Sequence, residues 1–362
     1  MISFVVGRNM GHLSRCVSIT KKLLQLDLPV QVFGFEGTHD YLLDNLKSNV
    51  SLKAYEESTQ FEEGRKTQLL INDWRSEVVR FRTEGLLDIN TKIVTIYHSD
   101  FSMSRNDSIE MQEYKKKILN IANHSDIFLH MNLFPPKPVN PGLNCIYIPI
   151  PIITREISQS PEEVKRQLGL QEDEQFILVQ MGGGLGIHRY QQIEEWYKHI
   201  NGLAGRYRFV VAGQLQEEDY QFDKRIIKAP LFPNGRNLVN AASLVISKPG
   251  MGILADCIST GIPLLFLPAD DAEREQKISM LRKILNNDLG TIKKPEEIVT
   301  KIEQALENKH EIQKKFKQIP SNGAEVASQI IEMAYRTPLS ELPNIREDLL
   351  RLTPFSSYGN KG

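Results

Sequence analysis

Short, uniformly apolar runs alternate with longer stretches whose apolar residues recur every three or four positions, through most of the 362-residue chain. Runs at 2–7, 30–35, 69–73, 93–98 and 127–131 predict buried strands, and the stretches 13–26, 41–46, 75–87 and 109–122 predict amphipathic helices between them. Strands without a polar face, alternating with helices, call for a parallel sheet covered on both sides. A break follows. Phe134-Pro135-Pro136-Lys137-Pro138 and Pro141-Gly142 cannot lie inside a helix, and 145–152 is one more apolar strand.

Ser160 then reads as an N-cap, Pro161 as the first helical position and Glu163 as the closing member of a capping box. A second alternating series starts there. Its strands are predicted at 176–181, 208–212, 226–229, 244–247 and 264–267, and its helices at 193–203, 238–242, 252–259, 273–285, 296–307 and 324–334. The pattern gives an α/β chain of two Rossmann-like parallel-sheet domains facing a central cleft, 1–153 and 154–336. A tail follows over 337–362, whose helical stretch 339–352 is expected to pack back on the first domain, with 356–362 frayed.

Composition narrows the class. Apolar residues at 41% and charged residues at 25% exclude extensive disorder and a fibrous fold. Forty-four Lys and Arg against forty-five Asp and Glu leave a charge of −1, which gives no pull toward nucleic acid. Cys16, Cys145 and Cys257 are too scattered for a metal cluster and suit a reducing compartment. With no leader-like start and no apolar run of about 18 residues, a cytoplasmic protein is expected. Lys115-Lys116-Lys117, with Ile118 and Ile121, leaves peripheral contact with a membrane's inner face as an alternative to a solvated helix.

In open α/β sheets ligands sit beyond the carboxyl ends of the strands, so the loops there carry the chemistry. The first, Gly7-Arg8-Asn9-Met10-Gly11-His12, opens a helix. Its amides can face an anion or hydroxyl oxygen, and His12 can accept a proton near neutral pH or serve as an N-terminal cap. The second, Gly182-Gly183-Gly184-Leu185-Gly186, lets backbone amides approach a diphosphate and lacks the Lys of a P-loop; His188 and Arg189 follow it. The third runs from Ser247-Lys248-Pro249-Gly250-Met251-Gly252 through Asp256 to Asp270, Asp271, Glu275 and Gln276. A carboxylate at Asp256 can accept two hydrogen bonds from a ribose diol. Asp270 and Asp271 also read as helix caps.

Taken together, these three motifs resemble glycosyltransferases of the GT-B architecture. They are similar to the branch that includes the N-acetylglucosaminyl transferase of the lipid-linked peptidoglycan precursor and related UDP-glycosyltransferases. The resemblance implies transfer from a nucleotide-diphosphate sugar, most often a UDP-sugar, to a small-molecule, glycan or lipid-linked acceptor. It implies that Gly11, Gly182, Gly183, Gly184 and Gly186 meet the donor, and that Asp256 holds the ribose. The backbone at Leu231 and Phe232 would meet the base, with Ser247, Gly250, Gly252, Asp271, Glu275 and Gln276 completing the donor side. His12 is the implied base, with Asp73 as its partner. Asn72, His98 and Asp100 lie on the acceptor side or act as strand-end caps. Asp256 stands where the family usually carries Glu, and Gly184 where it often carries a hydroxyl. With no Asp-x-Asp motif, an inverting, metal-independent transfer without a cofactor is expected. Hydrolysis or 2-epimerisation of a nucleotide sugar, and non-catalytic binding of one, are the rivals. The sequence leaves the oligomeric state open.

Overall fold

A computed structural model describes residues 1–7, 9–35, 37–46, 50–54, 66–104, 107–136, 142–182, 189–213 and 220–356. The chain forms two compact units. One comprises Met1–Arg8, His12–Ile153 and the segment from Pro320 on; the other comprises Asn9–Gly11 and Thr154–Ile319.

The first unit is built on seven parallel strands: β1 (Ile2–Val6), β2 (Val30–Gly34), β3 (Ser51–Ala54), β4 (Leu69–Asp73), β5 (Lys92–Tyr97), β6 (Ile127–Met131) and β7 (Ile146–Ile150), in the order 3-2-1-4-5-6-7. All residues of β1, β2, β4, β5 and β6 are buried, as expected of strands packed on both faces. Helices α1 (Met10–Gln25), α2 (His39–Leu46), α3 (Glu77–Thr83) and α4 (Ile109–Asn123) connect them. Pairing starts with Ile2 between Val30 and Leu69, so Val6 ends beside Asp73.

Three residues of the basic stretch are withdrawn from the surface. Lys115 is buried, with its ammonium donating to the Asp107 carboxylate at 2.9 Å and to the Ser102 carbonyl at 2.7 Å. Ile118 and Ile121 sit in the core. That leaves Lys116 and Lys117 exposed, too little for the basic, apolar membrane surface the sequence allowed.

The second unit carries five parallel strands, β8 (Ile177–Gln180), β9 (Phe209–Val211), β10 (Ile227–Lys228), β11 (Leu244–Ser247) and β12 (Leu264–Phe266), in the order 10-9-8-11-12. Its helices are α5 (Pro161–Gln167), α6 (Ile193–Gly202), α7 (Gly235–Ala241), α8 (Met251–Thr260), α9 (Ala272–Leu285), α10 (Ile298–Glu307) and α11 (Lys309–Phe316). The capping box of α5 forms as read, with Ser160 accepting from the Glu163 amide and Glu163 from the Ser160 amide. Trp196, Tyr197 and Ile200, at helical spacing on α6, pack over β8 and β11 through Val179 and Ile246.

The helix read as the last of the second half, α12 (Gly323–Arg336), groups with the first unit, as does α13 (Arg346–Arg351). Buried Lys92, on β5, explains the attachment. Its ammonium donates to the carbonyls of Ala334, Tyr335 and Thr337 at 2.6, 2.9 and 2.6 Å, satisfying groups a helix leaves open at its C-terminal end. Thr353 adds a hydroxyl bond to the Pro149 carbonyl of β7 at 2.6 Å. Lys92→Met is expected to cost about 2–3 kcal/mol, because charged hydrogen bonds are lost and three carbonyls are left short of donors. Urea unfolding checks this, and an unmoved midpoint would contradict the role.

Candidate active site

Each sheet has one place where consecutive connections leave to opposite faces, and polar residues collect at both. In the first unit it lies between β1 and β4. The chain leaves β1 through Gly7, where a Cβ would fall 2.9 Å from two carbons of the His12 ring; only glycine lets the imidazole lie over the turn. The His12 Nδ1 is 2.9 Å from Asp73 Oδ1 at the end of β4. Arg15, one turn along α1, donates through Nε to Asp73 Oδ2 at 3.2 Å and through Nη2 to Asp73 Oδ1. The side chains of Asp73 and Arg15 are 2% and 5% exposed, and that of His12 is 14% exposed. Burial alone would raise the Asp73 carboxyl, but the Arg15 guanidinium and His12 outweigh it and hold the group below the usual carboxylate range.

Trp74 follows in a left-handed conformation, φ 59°, with its ring stacked on Tyr97 at 3.5 Å. A bulky residue there is strained, and the stack holds it. The residues expected on the acceptor side sit on the strand ends nearby. Asn72 is buried, giving its amide to Thr95 Oγ1 at 3.1 Å and accepting from the Arg75 backbone at 2.8 Å. His98 is buried, stacks on Tyr97 and lies 3.3 Å from Ser99 Oγ. Asp100 is exposed and accepts from the Ser102 amide.

In the second unit the corresponding place lies between β8 and β11. Gly182 has φ +77°, and a Cβ there would fall 2.5 Å from Lys248 Cε; the lysine stem occupies the space a side chain would need. Ser247 donates its hydroxyl to the Gln180 carbonyl, joining the two strand ends. Lys248 is half-buried, and burial with the nearby Arg274 brings its ammonium down to about 8, against the pull of Asp270, Asp271 and Glu273. Gly183, Gly184, Gly186 and His188 lie outside the described residues. Arg189 is exposed and pairs with Glu194 at 3.3 Å.

Gly250 caps α8 through its backbone, and Gly252 is exposed in the first turn. Asp256, further along α8, is half-buried, and its backbone carbonyl accepts the hydroxyls of Ser259 and Thr260 at 3.0 and 2.8 Å. Burial pushes its carboxyl up to about 6, although Arg155 and Arg236 act to lower it. Arg236 donates to the Arg155 carbonyl, and Arg155 donates to the Pro233 carbonyl beyond Leu231 and Phe232. Leu231 is exposed and Phe232 buried. Asp271 caps α9, accepting from the Arg274 amide at 2.7 Å, while Asp270 is ion-paired to the Arg274 guanidinium. Glu275 is exposed near Arg282, and Gln276 is half-buried on α9. Gly11 is exposed in the first turn of α1.

Four site residues escaped the sequence reading as site residues. Arg15 had a signal, three residues after His12 on one helix; Lys248 had one too, as a lone cation before a Pro-Gly turn. Arg155 and Arg236 are 81 positions apart and had none. Among the described residues, no group of three or more His, Cys, Asp or Glu could hold a metal ion. No helix among them is long and apolar enough to cross a membrane.

No family model matches the chain. Over 151 residues, 41% of this chain and 41% of the relative, it is 24% identical to the UDP-N-acetylglucosamine--N-acetylmuramyl-(pentapeptide) pyrophosphoryl-undecaprenol N-acetylglucosamine transferase of Christiangramia forsetii. Over 200 residues, 54% of this chain and 18% of the relative, it is 21% identical to an L-arabinokinase of Arabidopsis thaliana. The chain thus spans less than half the length of these curated relatives. Among solved structures, UGT89C1 of Arabidopsis thaliana complexed with UDP matches with a TM-score of 0.62 at 12% identity, covering 94% of this chain and 99% of that one. The spinosyn forosaminyltransferase SpnP matches with a TM-score of 0.59 at 10% identity, covering 92% and 98%. The fold is that of the GT-B glycosyltransferases.

Asp256 carries a pH signature. Its folded pKa of about 6 lies above the unfolded carboxylate value, so folding binds the proton more tightly. The ionised group therefore costs stability in full above about pH 6 and nothing below about pH 4. Asp256→Asn is expected to raise unfolding free energy by roughly 1–3 kcal/mol at pH 7, with the gain vanishing toward pH 4. A gain that is absent at pH 7, or equal at both pH values, would contradict this.

Proposed function

We propose that this protein is a glycosyltransferase that moves a sugar from a uridine diphosphate donor to an acceptor hydroxyl or amine, with inversion and without a bound metal. The observation that carries the reading is the hydrogen bond between His12 and buried, ionised Asp73 at the β1–β4 strand ends. A nucleotide-binding fold needs no such pair to hold its ligand, whereas a proton acceptor needs one. With Nδ1–H given to Asp73, the Nε2 lone pair takes the acceptor's proton as its oxygen or nitrogen attacks the anomeric carbon. The carbon–oxygen bond to the diphosphate breaks on the opposite side, which inverts the anomeric centre. Asp73 stays ionised and balances the imidazolium.

The departing diphosphate gains negative charge. Lys248 would stabilise it, with Asp256 receiving the ribose diol. A lysine close to 8 is still protonated at neutral pH, and the approach of an anion favours its charge further. Support for UDP as the nucleotide comes from the UDP-bound neighbour and from the donor motif. A reducing, cytoplasmic location belongs to the same proposal, supported by three free thiols.

His12→Ala is expected to lower turnover by about 10²–10⁴-fold with UDP affinity nearly unchanged. Lys248→Met is expected to weaken UDP binding about tenfold or more through loss of a charged hydrogen bond, while uridine binding holds. Calorimetric titration of both ligands, alongside UDP release with an acceptor panel, provides the check. Full UDP release without any acceptor would replace transfer by hydrolysis.

A further inference from the structure

The geometry points to Arg15 as a positioning residue that shares Asp73 with His12 and so leaves the imidazole's lone pair on Nε2. This deepens the reading of His12 as the base, but its test needs no turnover.

Three donors converge on one carboxylate. Asp73 Oδ2 takes Arg15 Nε at 3.2 Å, and Oδ1 takes Arg15 Nη2 and faces His12 Nδ1 at 2.9 Å. Arg15 Nη2 also lies 2.8 Å from His12 Nδ1. Two N–H groups cannot point at each other, so the cluster has two arrangements. In one, Nδ1 carries the proton and gives it to Oδ1, and Nε2 is bare. In the other, Nδ1 accepts from Arg15, and Nε2 carries the proton and cannot act as a base.

The ionised carboxylate decides between them. A charged oxygen is the stronger acceptor and has room for both hydrogens, so the Nδ1–H arrangement wins. Arg15 keeps that carboxylate ionised, and its own burial holds the guanidinium in place. It does a second thing. Asp73 alone would favour the imidazolium, which has no lone pair to offer; a guanidinium on the same carboxylate cancels much of that pull.

Among the described residues, two further side chains on the packed elements meet the cluster's edge, and neither carries a charge. β6 contributes the uncharged Met131 Sδ, 3.8 Å from Arg15 Nη1. The neighbouring Cys16 thiol on α1 is held neutral by burial.

The test is nuclear magnetic resonance of protein labelled with ¹⁵N and ¹³C in histidine, with His12 assigned by its loss in His12→Ala. Wild-type neutral His12 is expected to show Nδ1 protonated and Nε2 bare. In Arg15→Gln the share of rings with a bare Nε2 at neutral pH is expected to fall severalfold, and in Arg15→Lys to stay close to wild type. A wild-type ring protonated on Nε2, or an unchanged share in Arg15→Gln, overturns the inference. The wild-type reading decides by itself if Arg15→Gln does not fold. A lowered share in a protein that transfers no sugar would keep this inference and discard the transferase.

Discussion

Each sheet changes the direction of its connections once, and the polar groups of both candidate sites depend on that constraint. Elsewhere along a doubly wound sheet, the strand ends are covered by the helices that follow them. At β1–β4 and β8–β11 the following segments part to opposite faces. Buried apolar strands thus carry Asp73 and Lys248 to the two places where the sheets change direction. The register does the aiming: Val6 ends beside Asp73, and Ser247 ends beside Gln180.

The two sites treat buried charge differently. In the first unit the charges are balanced internally, since Asp73 has Arg15 on both oxygens and His12 on one. That arrangement is rigid and suits a group that must keep one proton in one place. In the second unit burial raises the Asp256 carboxyl and, with Arg274 nearby, lowers the Lys248 ammonium, so each charge is held at a cost. A charged group held in that condition costs stability in the free protein and gains most when a complementary ligand arrives. A diphosphate for the lysine and a diol for the carboxylate have that complementarity.

Much of this architecture was legible in the sequence because apolar strands and capping residues act locally. The capping box at Ser160 and the strands around it needed nothing beyond neighbouring residues. β3 was not legible: two exposed and two half-buried residues at a sheet edge have no apolar signature. Helix α11 was missed because only Ile312 and Phe316 face inward. The grouping of α12 with the first unit depends on Lys92, 242 positions from the nearest carbonyl it satisfies, and periodicity carries no such information. At the site, His12 and Asp73 were paired through resemblance, and spacing alone left His12 as readily a cap. Arg15 and Lys248 stood in plain view within the motifs. Their roles emerge only from what they touch across the sheet, as with Asn72, whose amide turns out to be committed to Thr95 and Arg75.

The most direct measurement is a crystal structure with uridine diphosphate bound. The expected result places the diphosphate over Gly182 within hydrogen-bond reach of Lys248, the ribose diol on Asp256, and no cation bridging the phosphates. A nucleotide seated away from the β8–β11 strand ends, or held there through a metal ion, would contradict the account.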